Sequence, residues 1–434
     1  MSFRGKAWIL VISGALAIYA LVGSMPWVGA ILSTQAQQPI NDAGAQLRIF
    51  ESVLQHIQND YVDDPNMEKV RLGALRGLAG GLDPYSSYLT AEQVKDYQAG
   101  KFNTKAGIGA EFGEVSAYLY VVSVVKGSPA DTAGIRAGDV IEYIDGRATR
   151  DISLFDSKAL IFGEPGTQVS LRVLRPGEKP QVIKVTRGTY KTPPVDSRIE
   201  AGSVGVIKVY SLETGEANDI RTHLQNLTKQ GAKKIVLDLR GVATGPISEA
   251  VAVANLFIRD GELAKIVGKE SKSFAADPAK HVFDGGLAVL IDLGTAGPGE
   301  VVAAAVLDRK RGEVVGERSF GAGTEQKLFT LRGGDGLLLT TAKWASPNGT
   351  PFLGDDRASM GVKPSVEVKR PDTPEPIEVE ELIDRQKEQS QEPQPSATPP
   401  VKLETKKPAA EDVQLKKAIE ILQKDSASAA KAGA

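Results

Sequence analysis

One stretch of the chain, residues 293–308, has the form of a site for nucleophilic catalysis. It reads LGTAGPGEVVAAAVLD and directly follows the apolar run GGLAVLID. This pattern predicts a buried strand, a tight turn and a helix with Glu300 in its first turn. Many hydrolases expose a serine nucleophile on such a strand–turn–helix elbow. Here the tip of the turn is Gly297, Pro298 and Gly299, so the predicted elbow carries no nucleophile.

Other reactive side chains are scarce. The 434 residues include no cysteine, which excludes disulfides, thiolate catalysis and cysteine-based metal sites. The three histidines, His56, His223 and His281, are not spaced for metal binding. We therefore expect neither a metal nor a cofactor. Charge is nearly balanced, at 52 basic against 54 acidic residues, and no basic stripe marks a nucleic-acid partner.

Three predicted regions must position the elbow. Residues 42–100 have apolar side chains at helical spacing, and Thr90 is a predicted helix cap. Residues 104–188 contain short Val-, Ile- and Tyr-rich strands with one short helix, which predicts a small, β-rich domain. Residues 190–370 alternate apolar strands with helices, which predicts an α/β core with a mainly parallel sheet.

The two ends of the chain differ from these regions. Arg4 and Lys6 precede an uncharged run over residues 7–32, long enough to cross a bilayer as a helix. We predict a retained anchor within residues 1–36, with the bulk of the chain outside the cytoplasm; a cleaved signal peptide is the alternative. Residues 371–410 are Pro-rich and predicted to be a disordered linker, and residues 411–424 an amphipathic helix.

Several longer motifs occur in an order typical of one family. They are LDPYSSYLTAEQ, AGIGAEF, VKGSPADTAGIRAGDVIEYIDG, IVLDLR, VVGERSFGAGTEQ, LTTAKWASPNG and MGVKPSVEV. In these segments the chain resembles the C-terminal processing peptidases, also called tail-specific proteases. The resemblance implies a ClpP/crotonase-like α/β core, a PDZ domain and an N-terminal helical segment. It also implies a serine peptidase with a Ser–Lys dyad.

The positions that would carry this chemistry are altered. By resemblance, the nucleophilic serine falls at Gly297 and the lysine base at Ala322, while the family's glutamine is retained as Gln326. One oxyanion donor falls at Pro298, which has no backbone N–H. Thr244 replaces a glycine in the loop that holds the other donor. Serine, lysine and one donor are therefore missing together.

Side chains that could replace the missing nucleophile and base lie close to the elbow in sequence. Thr295 and Ser248 are the nearest hydroxyls and Lys327 is the nearest lysine. Thr295 matches a non-catalytic serine of the family, and Lys327 would point away from Gln326 in a strand. An active serine peptidase with a relocated catalytic group remains the alternative.

The PDZ segment keeps the features needed to bind peptides. PDZ domains add a peptide as a strand and hold its terminal carboxylate in backbone N–H groups. By resemblance that loop is Gly107, Ile108, Gly109 and Ala110, and the helix SLFDSKALI forms the other wall, with Leu154, Leu160 and Ile161 as candidate contacts. A groove that instead binds the protein's own core, as a latch, is the alternative.

These observations predict a membrane-anchored, extracytoplasmic pseudoprotease. Its expected ligands are protein C-termini. An active relative or an adaptor lipoprotein is a further expected partner, together with an oligomeric assembly. A structural adaptor, assembled through the Pro-rich segment and the last helix, is a weaker alternative.

Overall fold

The computed structural model describes residues 43–101, 106–176, 178–200, 202–356, 359–370 and 411–432. The predicted anchor at residues 1–36 and the predicted linker at residues 371–410 lie outside these ranges. No described helix combines the length and apolarity needed to cross a membrane.

The chain divides into two compact units, Met1–Ala74 and Leu75–Ala434. In the first unit, helix α1 (Ala43–Asp60) carries apolar side chains that remain exposed, with Leu47 at 68% and Val53 at 50%. Helix α2 (Met67–Gly80) begins in this unit and ends in the second. The predicted helical region over residues 42–100 is interrupted by strand β1 (Ser87–Leu89) before helix α3 (Ala91–Gln98). Thr90 caps α3, as predicted, by accepting the Gln93 N–H.

The β-rich domain of the second unit is one twisted sheet with two short helices. Its strand order is β2-β3-β4-β6-β7, with β5 paired to β4, so β2 and β7 are the edges. Helix α5 packs beside β2. The elements are β2 (Ala110–Val115), β3 (Tyr118–Val124), α4 (Pro129–Ala133), β4 (Val140–Ile144), β5 (Arg147–Ala148), α5 (Leu154–Ile161), β6 (Gln168–Leu174) and β7 (Gln181–Thr186).

The α/β core is built on a six-stranded sheet, with the order β17-β14-β13-β10-β9-β8. Every pair is parallel except β8 with β9, which confirms the mainly parallel sheet. The elements are β8 (Asp196–Glu200), β9 (Val204–Lys208), α6 (Glu216–Lys229), β10 (Lys234–Asp238), α7 (Ile247–Phe257), β13 (Gly286–Ile291), α8 (Pro298–Asp308), β14 (Glu313–Gly316), β17 (Val366–Glu367) and α9 (Val413–Ala432).

Both faces of this sheet are covered by helices. Helices α6, α7 and α8 bury the larger apolar cluster, which includes Ile220, Phe257 and Val301. Helix α9 covers the opposite face with Ala418 and Leu422. Burial on both faces explains why these strands read as continuous apolar runs.

A second, antiparallel sheet completes the core. Its order is β1-β16-β11-β12, with β15 paired to β16. The strands are β11 (Glu262–Gly268), β12 (Lys272–Ala275), β15 (Thr324–Thr330) and β16 (Gly336–Ala345). Because β1 pairs with β16, three residues of the region predicted to be helical become part of this sheet.

Candidate functional site

The elbow predicted from sequence forms at the carboxyl end of β13. Gly297 adopts φ 47° and ψ −104°, a conformation that is costly for residues with a side chain. A Cβ atom built at Gly297 would meet only Cζ3 of Trp344, at 3.5 Å. Packing therefore leaves space for a side chain at the tip of the elbow, although the sequence provides none.

A buried carboxylate organises the elbow. Glu300 is fully buried and accepts hydrogen bonds from Gly297 N at 2.7 Å, Ser319 Oγ at 2.5 Å, Gly321 N at 2.7 Å and Ala322 N at 2.9 Å. Burial raises the pKa of Glu300 to about 7, and these four donors oppose that rise. The carboxylate thus joins the turn to the segment that contains Ala322.

The backbone donors of the elbow are used locally. Gly297 N donates to Glu300, and Gly299 N donates to the carbonyl of Ala296 at 3.1 Å. Pro298, the first residue of α8, has no N–H to offer. The start of this helix therefore presents no free donor for an oxyanion among these residues.

The neighbouring loop, residues 241–245, is held against the elbow. The Val242 carbonyl accepts from Ala296 N at 2.9 Å, and the Thr244 carbonyl accepts from Leu212 N at 2.8 Å. Gly245 has φ 130°, and a Cβ there would lie 1.9 Å from the Leu212 carbonyl oxygen. The loop that contains the half-buried Thr244 thus lies beside the elbow.

The structure brings Ala322 to the elbow but not Gln326. Ala322 is linked to it through Glu300, whereas Gln326 is exposed and donates from Nε2 to Thr324 Oγ1 at 2.7 Å. The register with β16 skips Thr341 between Glu325 and Gln326, so the irregularity lies in β16 and not in β15. The retained glutamine is therefore not part of the elbow site.

The three side chains considered as replacements for the nucleophile and the base make other contacts. Thr295 is fully buried, and its hydroxyl bonds the Leu239 carbonyl at 3.0 Å. Ser248 is exposed on α7, and the Lys327 ammonium lies over the Phe329 ring at 5.5 Å. None of them has the contacts of a nucleophile or a base at the elbow.

A serine–histidine pair occurs elsewhere, and the sequence patterns gave no sign of it. Ser197 Oγ on β8 lies 2.7 Å from His223 Nδ1 on α6, and both residues are half-buried. The pair sits at the edge of the parallel sheet, with β9 and β10 between it and β13. It is therefore separate from the elbow.

The β-rich domain covers the elbow with its β2–β3 hairpin. Val122 packs in one apolar cluster with Ala296 and Phe320, and the Tyr120 and Phe320 rings stack at 5.7 Å. Gly113 permits this approach, since a Cβ there would be 2.3 Å from Phe320 Cζ. Phe320 immediately precedes the Gly-Ala-Gly segment, yet only the folded chain reveals its partner.

Acidic groups accumulate beside this contact. Burial raises the pKa of Glu114 to about 7, and the nearby Asp83 carboxylate adds to the rise. Burial, with a smaller effect from Glu300, also raises the pKa of Tyr85. The strand–turn–helix pattern predicts Glu300 in the first turn of α8 but not its contacts, and Glu114 lies in none of the motifs.

The loop predicted to hold a peptide's terminal carboxylate, residues 107–110, has one residue in the left-handed region. Gly109 has φ 78°, and its carbonyl accepts from Val125 N at 2.8 Å. Ile108 and Gly109 are buried, and within the described ranges their backbone N–H groups meet no acceptor. Gly107 forms a bridge with Gly188 that holds the start of the loop. Ala110 then begins β2.

The predicted groove contacts on α5 need correction. Leu154 and Ile161 are only 4% and 1% exposed, because they pack in the core of the domain. Leu160 is half-buried at the edge of the same cluster. Of the three predicted contacts, only Leu160 keeps surface that a ligand can touch. Helical periodicity could not tell which face of so short a helix meets the sheet.

The architecture and the elbow together define a class: an α/β peptidase core that carries a PDZ domain. Comparison with protein families agrees. The model for peptidase family S41 matches residues 203–368, and a PDZ-domain model matches residues 106–186.

Related proteins are similar over most of the chain. A probable CtpA-like serine protease of Staphylococcus aureus (strain MRSA252) is 32% identical over 84% of this chain and 73% of its own length. A probable CtpA-like serine protease of Staphylococcus epidermidis is 30% identical over 84% of this chain and 74% of its own. The solved photosystem II D1 C-terminal processing protease aligns with a TM-score of 0.62 and 26% identity, over 75% of this chain and 93% of that structure. The chain belongs to the C-terminal processing serine proteases of peptidase family S41.

Proposed function

We propose that this chain is a pseudoprotease of its family, anchored in the membrane with its bulk outside the cytoplasm, and that it binds protein C-termini through the PDZ domain. It would regulate or scaffold an active relative, or act with an adaptor lipoprotein, as part of an oligomer. The observation that carries the loss of activity is the elbow itself. Its tip has no side chain and its second residue has no N–H, while the N–H groups of Gly297 and Ala322 already donate to Glu300.

The size of the expected defect follows from related chemistry. Removing the nucleophile or its base lowers turnover on the order of 10⁶-fold in a serine protease. Removing one oxyanion donor costs roughly 10² to 10³. Both losses coincide at Gly297 and Pro298, so no measurable hydrolysis is expected.

Loss of activity is tested with a serine-directed fluorophosphonate and an unstructured protein substrate. The purified full chain should show neither labelling nor turnover. The specific alternative is the Ser197–His223 pair, because 2.7 Å is a distance at which histidine can activate a hydroxyl. Labelling of the wild type that disappears in Ser197→Ala would refute the pseudoprotease and identify the relocated nucleophile.

Peptide binding is supported by the loop at Ile108 and Gly109, where both residues are buried and their N–H groups meet no acceptor among the described residues. An edge strand beside such a loop is the arrangement that captures a terminal carboxylate. Calorimetry with a peptide that ends in an apolar residue tests this directly. The free acid should bind at least tenfold more tightly than its C-terminal amide; equal affinities would contradict carboxylate capture.

The proposed location rests on the uncharged run over residues 7–32. Fractionation of cells should find the full-length chain in the membrane fraction, with residues 43–434 open to protease added from outside the cytoplasm. A shortened chain in the soluble extracytoplasmic fraction would instead support signal cleavage.

A further inference from the structure

The groove beside β2 contains an ion pair that the family resemblance does not explain. Lys158 Nζ on α5 lies 2.6 Å from Glu111 Oε1 on β2. The two side chains are 33% and 35% exposed, so the pair is within reach of solvent. Since β2 is an edge strand, its side away from β3 is the edge that a peptide would extend.

The pair crosses that edge. Phe112 is 4% exposed in the core of the domain, and Ala110 packs against the same core. Helix α5 lies on this core side, since Leu154 and Ile161 belong to it. The register shift between Glu111 and Phe112 skips Val122 of β3, so β2 itself keeps its alternation. Alternation then places Glu111, between Ala110 and Phe112, on the opposite face. Lys158 therefore has to pass over the free edge of β2 to reach Glu111.

Helix α5 is fixed in place. The Arg187 guanidinium donates to the carbonyls of Leu160 and Ile161, at 2.7 Å each. At the other end, Asp156 accepts from Gln93 of α3 at 2.6 Å. Because both ends are tied, the groove opens by movement of the Lys158 side chain rather than of the helix.

We propose that the Lys158–Glu111 pair is a clasp that closes the peptide groove, and that the peptides which open it carry an acidic side chain near their C-terminus. This inference rests on the proposed peptide binding. A strand added to β2 displaces Lys158 from Glu111. The freed ammonium stays on the ligand's side of the edge, whereas Glu111 stays on the far face. An aspartate or glutamate of the peptide then replaces Glu111 as the partner of Lys158.

The experiment measures peptide affinity by fluorescence anisotropy on the full chain. The probes are dansylated peptides that share an apolar C-terminal residue and carry one Asp at the second, third or fourth position from the end, each paired with its Asn counterpart. At its best position, Asp should bind the wild type roughly two- to fivefold more tightly than Asn, as expected for one partly exposed ion pair.

Three variants test separately whether the ion pair closes the groove and whether Lys158 binds the acidic side chain of the peptide. Glu111→Gln should tighten binding of both peptides, because Lys158 no longer has a partner to leave. Lys158→Met should tighten binding of the Asn peptide and remove the preference for Asp. Lys184→Met, an exposed lysine on the opposite edge strand β7, should change neither affinity.

The outcomes distinguish the two proposals. If peptides bind but the Asp preference persists in Lys158→Met, or Glu111→Gln leaves both affinities unchanged, the clasp is refuted while peptide binding stands. If neither the wild type nor any variant distinguishes the free acid from the amide, peptide capture itself is refuted. Melting temperatures of the variants within about two degrees of wild type establish that the changes do not reflect misfolding.

Discussion

Replacing Glu300 with alanine should be among the most damaging single changes in the core. The carboxylate accepts from three backbone N–H groups and from the Ser319 hydroxyl, all at the elbow and the segment that faces it. Truncation to alanine would leave these four donors without their acceptor in a buried site. No remaining side chain of the elbow can take its place, because Gly297 and Pro298 carry none that accepts.

The expected magnitude follows from the donors. A buried donor left without a partner costs about 1–3 kcal/mol. Water that enters the vacated volume would satisfy some of the four, and loss of the buried charge relieves its desolvation. We therefore expect a loss of about 4 kcal/mol, a large fraction of the roughly 5–15 kcal/mol that stabilises a typical domain. Glu300→Gln should cost about half as much, since its carbonyl oxygen still accepts from one pair of donors.

Urea unfolding followed by circular dichroism measures these losses. Amide hydrogen exchange over residues 293–300 and 319–322 localises them, because both segments should exchange faster in the alanine variant. Glu270→Ala, an exposed glutamate on the loop between β11 and β12, is the matched control and should stay within about 0.5 kcal/mol of wild type. A Glu300→Ala chain within 1 kcal/mol of wild type, with unchanged exchange, would refute the organising role of this carboxylate.

Three further outcomes are expected. The folded-state pKa of Glu114, about 7, lies above its ordinary value, so its contribution to stability is present at low pH and is lost as the pH rises through 7. The fall in melting temperature between pH 5 and pH 8 should therefore be smaller in Glu114→Gln than in the wild type. An equal fall in both would contradict this. Gly113→Ala should lower stability by about 1–3 kcal/mol, since the added Cβ would lie 2.3 Å from Phe320 Cζ. In a double-mutant cycle, the same substitution should cost less when Phe320 is already replaced with alanine. Arg240→Met should accelerate hydrogen exchange in α9, because it breaks the 2.8 Å contact with Asp412 at the start of this helix. Unchanged exchange would show that the apolar face and the Gln414 contact with the Val368 carbonyl hold α9 without Arg240.

Much of the fold follows from local patterns. The apolar run before residue 293 and the small residues after it predict β13, the turn and α8, because strand, turn and helix each have short-range signals. The Thr90 cap follows from its own hydroxyl and the helix that it begins. Strand β1 does not, since Ser87–Leu89 is extended only through its pairing with β16, some 250 residues later.

Part of the candidate site can likewise be predicted from the sequence, and part cannot. The absence of a nucleophile at Gly297 and of a donor at Pro298 can be read directly, because these are properties of the residues themselves. The exposure of Gln326 cannot, since it depends on how β15 pairs with β16 and packs on the core. The burial of Leu154 and Ile161 is likewise fixed by how α5 packs on its sheet.

The sequence by itself determined which atoms are missing from the elbow and which family of folds surrounds it. Only the tertiary structure decided what now holds the elbow together and what lies over it. Glu300 meets Ser319 and Ala322, which lie 19 and 22 residues further along the chain, and Phe320 meets Gly113 of the PDZ domain. Such contacts depend on the packing of whole elements, and no short-range pattern encodes them. For the same reason, the ion pair that crosses the PDZ groove became visible only when α5 and β2 lay side by side.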